Sequence, residues 1–260
     1  MAIKLLISDL DGTLLDADSR IAPRTAAALR RAQQAGLRLL VATGRAWGTA
    51  APLLREAGIA CDFVLLGGAE FRTAAGELLY EAPLALPDAQ RAIELAQQCG
   101  LDVELNTDRG DFSTDTVLCS TAAPLPPLAA FFADAPQIRK VFAFSLTDST
   151  ALARAKQALG ALTNVTLTSS APWNLEITAK QAQKGHTARH AVQQYGLTPD
   201  EALVFGDSSN DESLFRAFAH TRAMGNADAA LQALAERVIE PNTDHGVARE
   251  IERLLDSENY

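Results

Sequence analysis

Short hydrophobic blocks alternate with longer helical patterns in the first part of the chain. Runs of mainly apolar residues that end at polar residues or glycine predict buried strands at 4–9, 37–42 and 63–66. Between these strands, stretches rich in alanine and leucine predict helices at 23–34 and 47–57. Strands that alternate with helices through short connections predict right-handed crossovers, and therefore an α/β fold with a doubly wound, mostly parallel sheet.

The pattern changes between residues 83 and 180, where strand patterns occur in pairs. Strands are predicted at 101–106, 112–118, 138–146, 165–169 and 173–178. Helices are predicted at 87–99, after the proline-rich link 124–127, and at 149–159. Paired strands beside helices predict an α+β segment with a mostly antiparallel sheet.

From residue 184 onward the alternation of helix and strand resumes. Helices are predicted at 186–195, 212–219, 227–235 and 247–255, with a strand at 203–205 and a short strand before Gly225. The sequence therefore predicts one α/β domain of residues 1–82 and 181–260, interrupted by an inserted α+β domain of residues 83–180.

The composition narrows the classes of function. The 260 residues are 48% hydrophobic and 21% charged, which is ordinary for a globular protein and excludes a disordered or fibrous chain. The apolar runs are strand-sized, below the roughly 20 residues of a membrane helix, and the first residues do not resemble a secretory leader. With 23 basic and 32 acidic residues the net charge is −9, which argues against a broad surface for nucleic acid or an anionic membrane.

The cysteines Cys61, Cys99 and Cys119 lie far apart and form no CxxC pair. Isolated cysteines in odd number predict buried free thiols rather than a disulfide framework or a structural zinc site. The simplest setting for such a chain is the reducing cytoplasm. No pattern in the sequence predicts an oligomeric state.

The strongest chemical signal is the segment Asp9-Leu-Asp11-Gly12-Thr13, which follows the first predicted strand. Ligands of open α/β sheets bind beyond the carboxyl ends of the strands. The glycine lets the chain curl, so that both carboxylates can face one site. Such a pair suits a divalent cation, or a nucleophile beside a general acid and base. It also suits a polar cap that only ends a strand.

Three further polar groups follow predicted strands or open predicted helices. Thr43-Gly44 offers a hydroxyl and backbone N–H groups to an oxyanion, or caps a helix. Lys184 opens the first helix after the insert, where it could bind an anion or lie in solvent. Residues 206–211, Gly-Asp-Ser-Ser-Asn-Asp, add two carboxylates, unless they form only an Asp-rich turn.

In this order, the motifs resemble those of the haloacid dehalogenase (HAD) superfamily, and within it the Cof-like phosphatases with a type IIB cap. Residues 9–15 resemble the first family motif, 42–45 the second, Lys184-Gly185 the third and 206–211 the fourth. Residues 223–227 and 244–247 are similar to C-terminal signatures of this subfamily. Gly67 departs from the pattern, because the family usually has asparagine there. The resemblance covers essentially the whole chain and implies a HAD-like Rossmannoid core with an inserted cap.

The resemblance also implies roles for individual residues. Asp9 would attack phosphorus, and Asp11 would protonate the leaving oxygen and then activate water. Mg²⁺ would be held by Asp9, the main-chain carbonyl of Asp11 and Asp207. Asp211 would order the surroundings of the metal. The phosphoryl oxygens would be bound by Thr43, Gly44, Lys184 and Asn210.

The resemblance also implies which of the family's reactions to expect, because an acid, Asp11, lies two residues after the nucleophile. Dehalogenating members need no acid at that position, and ATPase members have a motif that resembles Asp-x-Thr. Asp11 therefore favours a phosphatase or a phosphomutase. The expected reaction is Mg²⁺-dependent hydrolysis of small phosphorylated metabolites, such as sugar phosphates or phosphorylated cofactors, because a capped site closes over a small molecule. Two alternatives stay open. One is a phosphomutase of the phosphomannomutase type, and the other is a non-catalytic sensor of phosphometabolites on the same scaffold.

Other polar and aromatic residues give weaker signals. His186 and His190 lie one helical turn apart, as zinc ligands can, but without the glutamate of an HExxH motif we interpret them as helix surface. Arg45 is expected to cap or pair near the site. His245 lies in a glycine-containing turn that could line the site, and Trp173 could face a substrate or pack in a core.

Overall fold

A computed structural model of the protein describes residues 2–119 and 121–258. The chain divides into two compact units. The core unit contains the described residues up to Tyr80 and those from Gln183 onward, and the inserted unit is Glu81–Ala182. The inserted unit therefore separates two stretches of chain that fold together.

Both units contain strands and helices. The strands are β1 (Leu5–Ser8), β2 (Arg38–Ala42), β3 (Asp62–Leu65), β4 (Glu70–Arg72), β5 (Leu78–Glu81), β6 (Asp102–Thr107), β7 (Gly110–Ser113), β8 (Ala123–Pro124), β9 (Ile138–Phe144), β10 (Val165–Thr168), β11 (Asn174–Ala179), β12 (Ala202–Gly206), β13 (His220–Ala223) and β14 (Arg237–Val238). The α-helices are α1 (Pro23–Gln34), α2 (Trp47–Glu56), α3 (Leu86–Gln98), α4 (Leu128–Ala133), α5 (Ser149–Leu159), α6 (Lys184–Gln194), α7 (Glu212–Ala217), α8 (Ala229–Leu234) and α9 (Gly246–Glu258). Within the described part of the chain, no helix is long and apolar enough to cross a membrane.

The core unit is built on one sheet with the strand order β14-β13-β12-β1-β2-β3-β4-β5. The strands from β14 to β3 pair in parallel, and β4 pairs antiparallel with β3. Leu5 and Ile7 of β1 pack in one cluster with Ala188 and Val192 of α6, while α1 contacts β2 and α9. The prediction of a doubly wound, mostly parallel α/β sheet is confirmed.

Helix α1 shows why these segments are helical. Pro23 occupies its first turn, where the missing N–H of proline costs nothing and its fixed φ suits a helix. The alanine, leucine and arginine residues that follow have high helix propensity. Ala26, Leu29 and Ala32 are buried at intervals of three residues, so one apolar stripe faces the interior.

The inserted unit has a second sheet with the order β10-β11-β9-β6-β7-β8. Its strands pair antiparallel from β10 to β7, and β7 pairs in parallel with β8. Helices α3 and α5 pack against each other and against this sheet. The predicted α+β insert with a mostly antiparallel sheet is therefore confirmed.

The register of this second sheet places several polar side chains on the face opposite its apolar core. Leu105 pairs with Val141, and both side chains are fully buried. The next pair along the ladder, Asn106 and Lys140, lies on the opposite face, together with Glu176 of β11. Successive residues of a strand point to opposite faces, so the insert presents polar side chains on one side of its sheet.

The strand predicted at 112–118 is shorter in the structure, where β7 ends at Ser113. The Asp115 carboxylate accepts hydrogen bonds from the backbone N–H groups of Val117 and Leu118, at 2.9 and 3.1 Å. These backbone N–H groups therefore bond to the Asp115 side chain instead of to a neighbouring strand. The prediction of a strand over 114–118 is therefore wrong.

The short strands β4 and β5 have no counterpart in the predicted elements. The Arg72 guanidinium donates to the Glu70 carboxylate at 2.6 and 3.1 Å, and to the carbonyl of Gly76 at 3.0 Å. Side-chain bonds of this kind support strands that are too short to show a clear alternation of apolar and polar residues.

The cysteines are free thiols in the structure. Cys61 is buried in the core unit, and burial raises the pKa of its thiol. Cys99 and Cys119 are half-buried. The prediction of buried thiols is therefore confirmed for Cys61 and wrong for the other two. The two half-buried thiols lie in the inserted unit, where part of each side chain reaches solvent.

Candidate active site

The carboxyl ends of neighbouring parallel strands bring two acidic motifs together. Ser8, the last residue of β1, lies opposite Phe205 of β12 on one side and Val41 of β2 on the other. Asp9 therefore follows β1 at the same edge of the sheet at which Asp207 follows β12. This edge is where an open α/β sheet binds its ligands.

The loop after β1 turns sharply at Gly12. Its φ of 76° lies in the left-handed region, which glycine adopts without steric cost. A Cβ atom at this position would overlap with the carboxylate of Asp207. The adjacent Thr13 hydroxyl donates to Oδ1 of Asp207 at 3.2 Å. Gly12 thus lets the first acidic loop approach the second closely.

Lys184 links the two acidic loops. Its side chain is 1% exposed. The Nζ atom donates to Oδ1 of Asp9 at 2.6 Å and to Oδ1 of Asp211 at 2.7 Å. It also donates to Oδ1 of Asn210 at 3.0 Å. One buried ammonium therefore holds residues from the first and fourth motifs.

A close approach of two helices places Lys184 there. The next residue, Gly185, lies so near α7 that a Cβ atom would overlap with the backbone of Ser213. The Gly185 N–H donates to the Ser213 hydroxyl at 3.0 Å. The Lys-Gly order of the third motif therefore has a packing reason, because the glycine brings α6 against α7 and the lysine to Asp211.

Asp211 holds the loop that carries Asp207. Oδ2 of its buried carboxylate accepts hydrogen bonds from the backbone N–H groups of Asp207 and Ser208, at 3.0 and 3.3 Å. Its other oxygen, Oδ1, accepts the Lys184 ammonium. A Cβ atom at Gly206 would overlap with the Asp211 side chain, so the loop closes tightly around this carboxylate.

Three carboxylates share this small space. Asp9, Asp207 and Asp211 each place one oxygen within 4.8 Å of the others. Burial raises the pKa of Asp9 well above its usual value, an effect that Lys184 opposes and the neighbouring carboxylates reinforce. Burial also raises the pKa of Asp207 to about 6, again with a contribution from Asp211.

The charge of this acidic cluster is not balanced by Lys184 alone. Burial lowers the pKa of the lysine, but the charges of Asp211 and Asp9 outweigh this and raise it above its ordinary value, so the group stays cationic. One ammonium then faces three carboxylates, whose oxygens are the hard ligands that Mg²⁺ prefers. The residues therefore fit a divalent cation.

The predicted phosphate ligands lie around the same strand ends. Asn210 accepts through Oδ1 from Lys184 and from the Ser208 hydroxyl at 3.1 Å, so its Nδ2 group is the donor left for an anion. Thr43 is buried, and its hydroxyl oxygen accepts the backbone N–H of Arg45 at 3.2 Å. Thr43 and Gly44 follow β2, the neighbour of β1.

Asp11 lies outside the acidic cluster that the described residues form. Its carboxylate is 54% exposed and paired with the guanidinium of Arg45. Two hydrogen bonds join them, Nε to Oδ2 at 2.8 Å and Nη2 to Oδ1 at 2.5 Å. Hydrogen bonding to Asp11 raises the pKa of Arg45. Arg45 therefore pairs near the site, and its partner is the second acid of the first motif.

The residues with weaker sequence signals take other positions. The rings of His186 and His190 lie 6.5 and 4.7 Å from the ring of Tyr80. His245 has a left-handed backbone with φ of 60°, and its Nδ1 is buried without a hydrogen-bond partner among the described residues. Trp173 is 39% exposed, with its ring 6.0 Å from that of Phe142.

Two side chains that were assigned no role in the sequence analysis contact the acidic loops. Thr13 donates to Asp207, and the amide of Asn226 donates to the carbonyl of Gly12 at 2.9 Å. Both lie inside segments that resemble family motifs, at 9–15 and 223–227. Position within a motif was the available signal, but the side-chain partner could not be read from it.

Known proteins resemble this chain over almost its whole length. The family model described as haloacid dehalogenase-like hydrolase matches residues 6–251. Phosphatase YwpJ of Bacillus subtilis is 28% identical and aligns over 97% of this chain and 100% of its own. Pyridoxal phosphate phosphatase YbhA of Escherichia coli is 27% identical, over 96% of this chain and 97% of its own.

A solved structure has the same fold. A haloacid dehalogenase-like hydrolase from B. subtilis superposes with a TM-score of 0.88 and 24% sequence identity. The match covers 97% of this chain and 100% of that one. Both units of the chain are therefore represented in a known fold.

Proposed function

Because the chain belongs to the family of haloacid dehalogenase-like hydrolases and is a phosphomonoester hydrolase, we propose that it acts on small phosphorylated metabolites with the help of Mg²⁺. The observation that carries the proposal is the bridge of Lys184 between Asp9 and Asp211 within the acidic cluster. It gathers a carboxylate nucleophile, a cation and metal-ligating oxygens, and phosphoryl transfer depends on such positioning and charge stabilisation.

The relatives support this substrate class. YbhA is named for pyridoxal phosphate, which is a phosphorylated cofactor. YwpJ is named a phosphatase without a stated substrate. Both align over almost their whole length, so phosphorylated cofactors are the first substrates we propose to test, with sugar phosphates as the second group of small phosphorylated metabolites.

In the first step, the Asp9 carboxylate forms a bond to phosphorus while the bond from phosphorus to the alcohol oxygen breaks. The product is an aspartyl-phosphate. Lys184, which donates to Asp9 at 2.6 Å, orients the attacking carboxylate and offsets charge on the phosphoryl group. The Asn210 amide, the Thr43 hydroxyl and the backbone at Gly44 bind phosphoryl oxygens beside it.

Proton transfer belongs to Asp11. Its carboxylic acid gives a proton to the departing alcohol oxygen, and the carboxylate then takes a proton from the water that attacks phosphorus. This second step releases inorganic phosphate and regenerates Asp9. The two hydrogen bonds from Arg45 orient the Asp11 carboxylate, which is the form that acts as the base in the second step.

We propose that Asp9, Asp207 and the main-chain carbonyl of Asp11 hold Mg²⁺, and that Asp211 fixes the loop around it. When bound, the cation offsets the repulsion between a carboxylate and a phosphate dianion. Thr13 keeps the Asp207 carboxylate oriented through its hydroxyl.

A phosphate-release screen tests the proposal. The purified chain is offered a panel of sugar phosphates and phosphorylated cofactors with Mg²⁺, and kcat/KM is measured for each. We expect release without any bisphosphate activator, which a phosphomutase would require. The Asp9→Asn variant should retain its fold and lose turnover, because an amide is a poor nucleophile. Phosphate release by Asp9→Asn above about a tenth of the wild-type rate would remove Asp9 from the nucleophile role.

We also propose that the protein works in the cytoplasm. The support is chemical, since free thiols at Cys61, Cys99 and Cys119 suit a reducing compartment.

A further inference from the structure

A turn near the C-terminus of the core unit is bonded to the fourth-motif loop. In this turn, residues 224–228, the Asp228 N–H donates to the carbonyl of Asp207 at 2.9 Å. The Asp228 carboxylate in return accepts the N–H of Ser209 at 3.3 Å. The turn is therefore fixed to the loop that carries Asp207.

The same turn reaches the first-motif loop through Asn226. Its Nδ2 donates to the carbonyl of Gly12 at 2.9 Å, and its Oδ1 accepts the backbone N–H of Asn242 at 3.0 Å. Asn242 in turn donates from Nδ2 to the carbonyl of Leu15 at 2.7 Å. These two residues, the asparagine clamp, hold both ends of the turn that follows Asp11.

The clamp compensates for a constraint on Gly12. This residue must be glycine, because a Cβ atom would overlap with the Asp207 carboxylate. Glycine also restricts its own backbone less than any other residue does. Hydrogen bonds from outside the loop are therefore the means by which the direction of the Gly12 carbonyl is fixed.

We propose that the asparagine clamp sets the position of the first-motif loop relative to the Asp207 loop, and thereby the affinity of the acidic cluster for a divalent cation. The inference rests on the proposed function, since it assumes that this cluster binds Mg²⁺. Asn226 and Asn242 act as positioning residues, because they contact loop carbonyls rather than the reacting atoms.

Direct metal binding tests the proposal without relying on turnover. Mn²⁺ is titrated into the metal-free full chain, and the free ion is measured by electron paramagnetic resonance. We expect Asn226→Ala to raise the Kd for Mn²⁺ about fivefold, as the loss of one hydrogen bond predicts. Asn242→Ala should raise it about threefold. The double variant should raise it by less than the product of the two effects, because the residues form one network.

Gln232 provides the matched control. Its amide donates to the carbonyls of Met224 and Gly225, both at 3.3 Å, so it supports the same turn without contacting the first-motif loop. Gln232→Ala should leave the Kd for Mn²⁺ unchanged. An equal rise in Kd for Gln232→Ala would overturn the proposal, because the effect would then come from the turn as a whole.

The remaining outcomes separate the clamp from the proposed function. If the wild-type chain does not bind Mn²⁺, the metal site of the proposed function fails. If the wild type binds and folded Asn226→Ala binds equally well, the clamp fails while the metal site stands. A lower Tm with unchanged Kd assigns the asparagines a structural role only, and also overturns the proposal. If Asn226→Ala does not fold, the Kd of Asn242→Ala for Mn²⁺ is compared with that of the wild type instead. An unchanged Kd then overturns the proposal.

Discussion

Asp11 and Arg45 form an ion pair at the site whose two hydrogen bonds fix the direction of a half-exposed carboxylate. A lysine cannot make this paired contact, because its ammonium is a single point of charge. The consequence for catalysis follows from the leaving group. An alkoxide needs a proton when it departs, whereas nitrophenolate does not.

We expect Asp11→Ala to slow alkyl phosphates about a hundredfold more than p-nitrophenyl phosphate in the step that forms the aspartyl-phosphate. Arg45→Lys should slow alkyl phosphates about tenfold more than p-nitrophenyl phosphate, because it disturbs the orientation of Asp11 without removing the acid. Single-turnover rates measure this step. Arg24→Ala is the control, since Arg24 makes a similar paired contact with Glu252 on the surface. Equal losses for both substrates in Asp11→Ala would exclude Asp11 as the acid.

The raised pKa of Asp207 predicts that the proposed metal binding depends on pH. Burial and the neighbouring Asp211 raise the pKa of Asp207 to about 6. Between about pH 4 and pH 6 the Asp207 carboxyl is therefore protonated in the folded chain and deprotonated in the unfolded chain. The contribution of this group to the free energy of unfolding is present at low pH and is lost as the pH rises through about 6.

Mg²⁺ bound at Asp207, as we propose, would reverse the sign of this pH dependence, because the cation must replace the proton on the carboxylate. The rise in Tm that a fixed Mg²⁺ concentration produces should therefore be large near about pH 7.5 and small near about pH 5. Thermal melts with Mg²⁺ and with a chelator at both values measure it. A rise in Tm that is equal at the two pH values would contradict an Asp207 ligand.

At the scale of elements, the contact between α6 and α7 determines where Lys184 lies. A Cβ atom at Gly185 would overlap with the Ser213 backbone, which cannot move as a side chain can. Alanine gains about 1 kcal/mol over glycine in helix propensity, but overpacking costs about 1–3 kcal/mol. The cost of overpacking against the backbone should therefore exceed the gain in helix propensity.

Gly185→Ala should therefore lower the free energy of unfolding by about 1–2 kcal/mol and reduce kcat as well, because α6 carries Lys184 away from Asp9. Chemical denaturation and steady-state kinetics measure the two effects. Gly48→Ala in α2 is the matched control, since nothing lies within 4 Å of its added Cβ atom. The control should be neutral or stabilising. A Gly185→Ala variant as stable and active as wild type would show that this approach of the helices is not required.

Elements of the core unit that carry a buried apolar run were predictable from the sequence, whereas the short strands β4 and β5 were not. β1, α1 and β2 lie where the pattern of apolar residues placed them, at Leu5–Ser8, Pro23–Gln34 and Arg38–Ala42. The strand over 114–118 was wrong because a single carboxylate, that of Asp115, bonds the backbone locally. Hydrophobic periodicity does not report such bonds.

The same distinction applies to the candidate site. That Asp9 and Asp207 meet at one sheet edge follows from the order of parallel strands, and the motifs made this predictable. That Asp11 pairs with Arg45 while Asp9 pairs with Lys184 depends on the directions of these side chains. Those directions are set by tertiary contacts, which a sequence without the fold does not contain.

For the whole molecule, the inserted unit has polar chemistry of its own. Lys140 lies 3.3 Å from the Glu176 carboxylate, and each side chain is 8% exposed. The Ser170 hydroxyl donates to Glu176 at 2.6 Å. Asn106 donates to Asp111 at 2.9 Å, while its Oδ1 is buried without a hydrogen-bond partner in the described part of the chain. A buried polar atom left unpaired costs about 1–3 kcal/mol, which a bound group would relieve.

We propose a division of labour in which the core unit carries the chemistry and the inserted unit sets the choice of metabolite. The residues assigned to phosphoryl transfer, from Asp9 to Asp211, belong to the core unit. The inserted unit contributes the polar sheet face that includes Asn106, Lys140 and Glu176. Hydroxyl-bearing metabolites would distinguish such a face from an apolar one, whereas p-nitrophenyl phosphate offers it no hydroxyl group to bond.

Asn106→Ala should therefore change the ranking of metabolites without changing the chemistry. We expect kcat/KM for the preferred hydroxyl-bearing metabolite to fall about tenfold, as the loss of one specific hydrogen bond predicts, and kcat/KM for p-nitrophenyl phosphate to stay within about twofold of wild type. Asn164→Ala, an exposed asparagine in the same unit, is the matched control and should keep the wild-type ranking. A folded Asn106→Ala protein with an unchanged ranking would place specificity in the core unit. Parallel losses for every substrate, including p-nitrophenyl phosphate, would mean that Asn106 supports the fold and does not select the substrate.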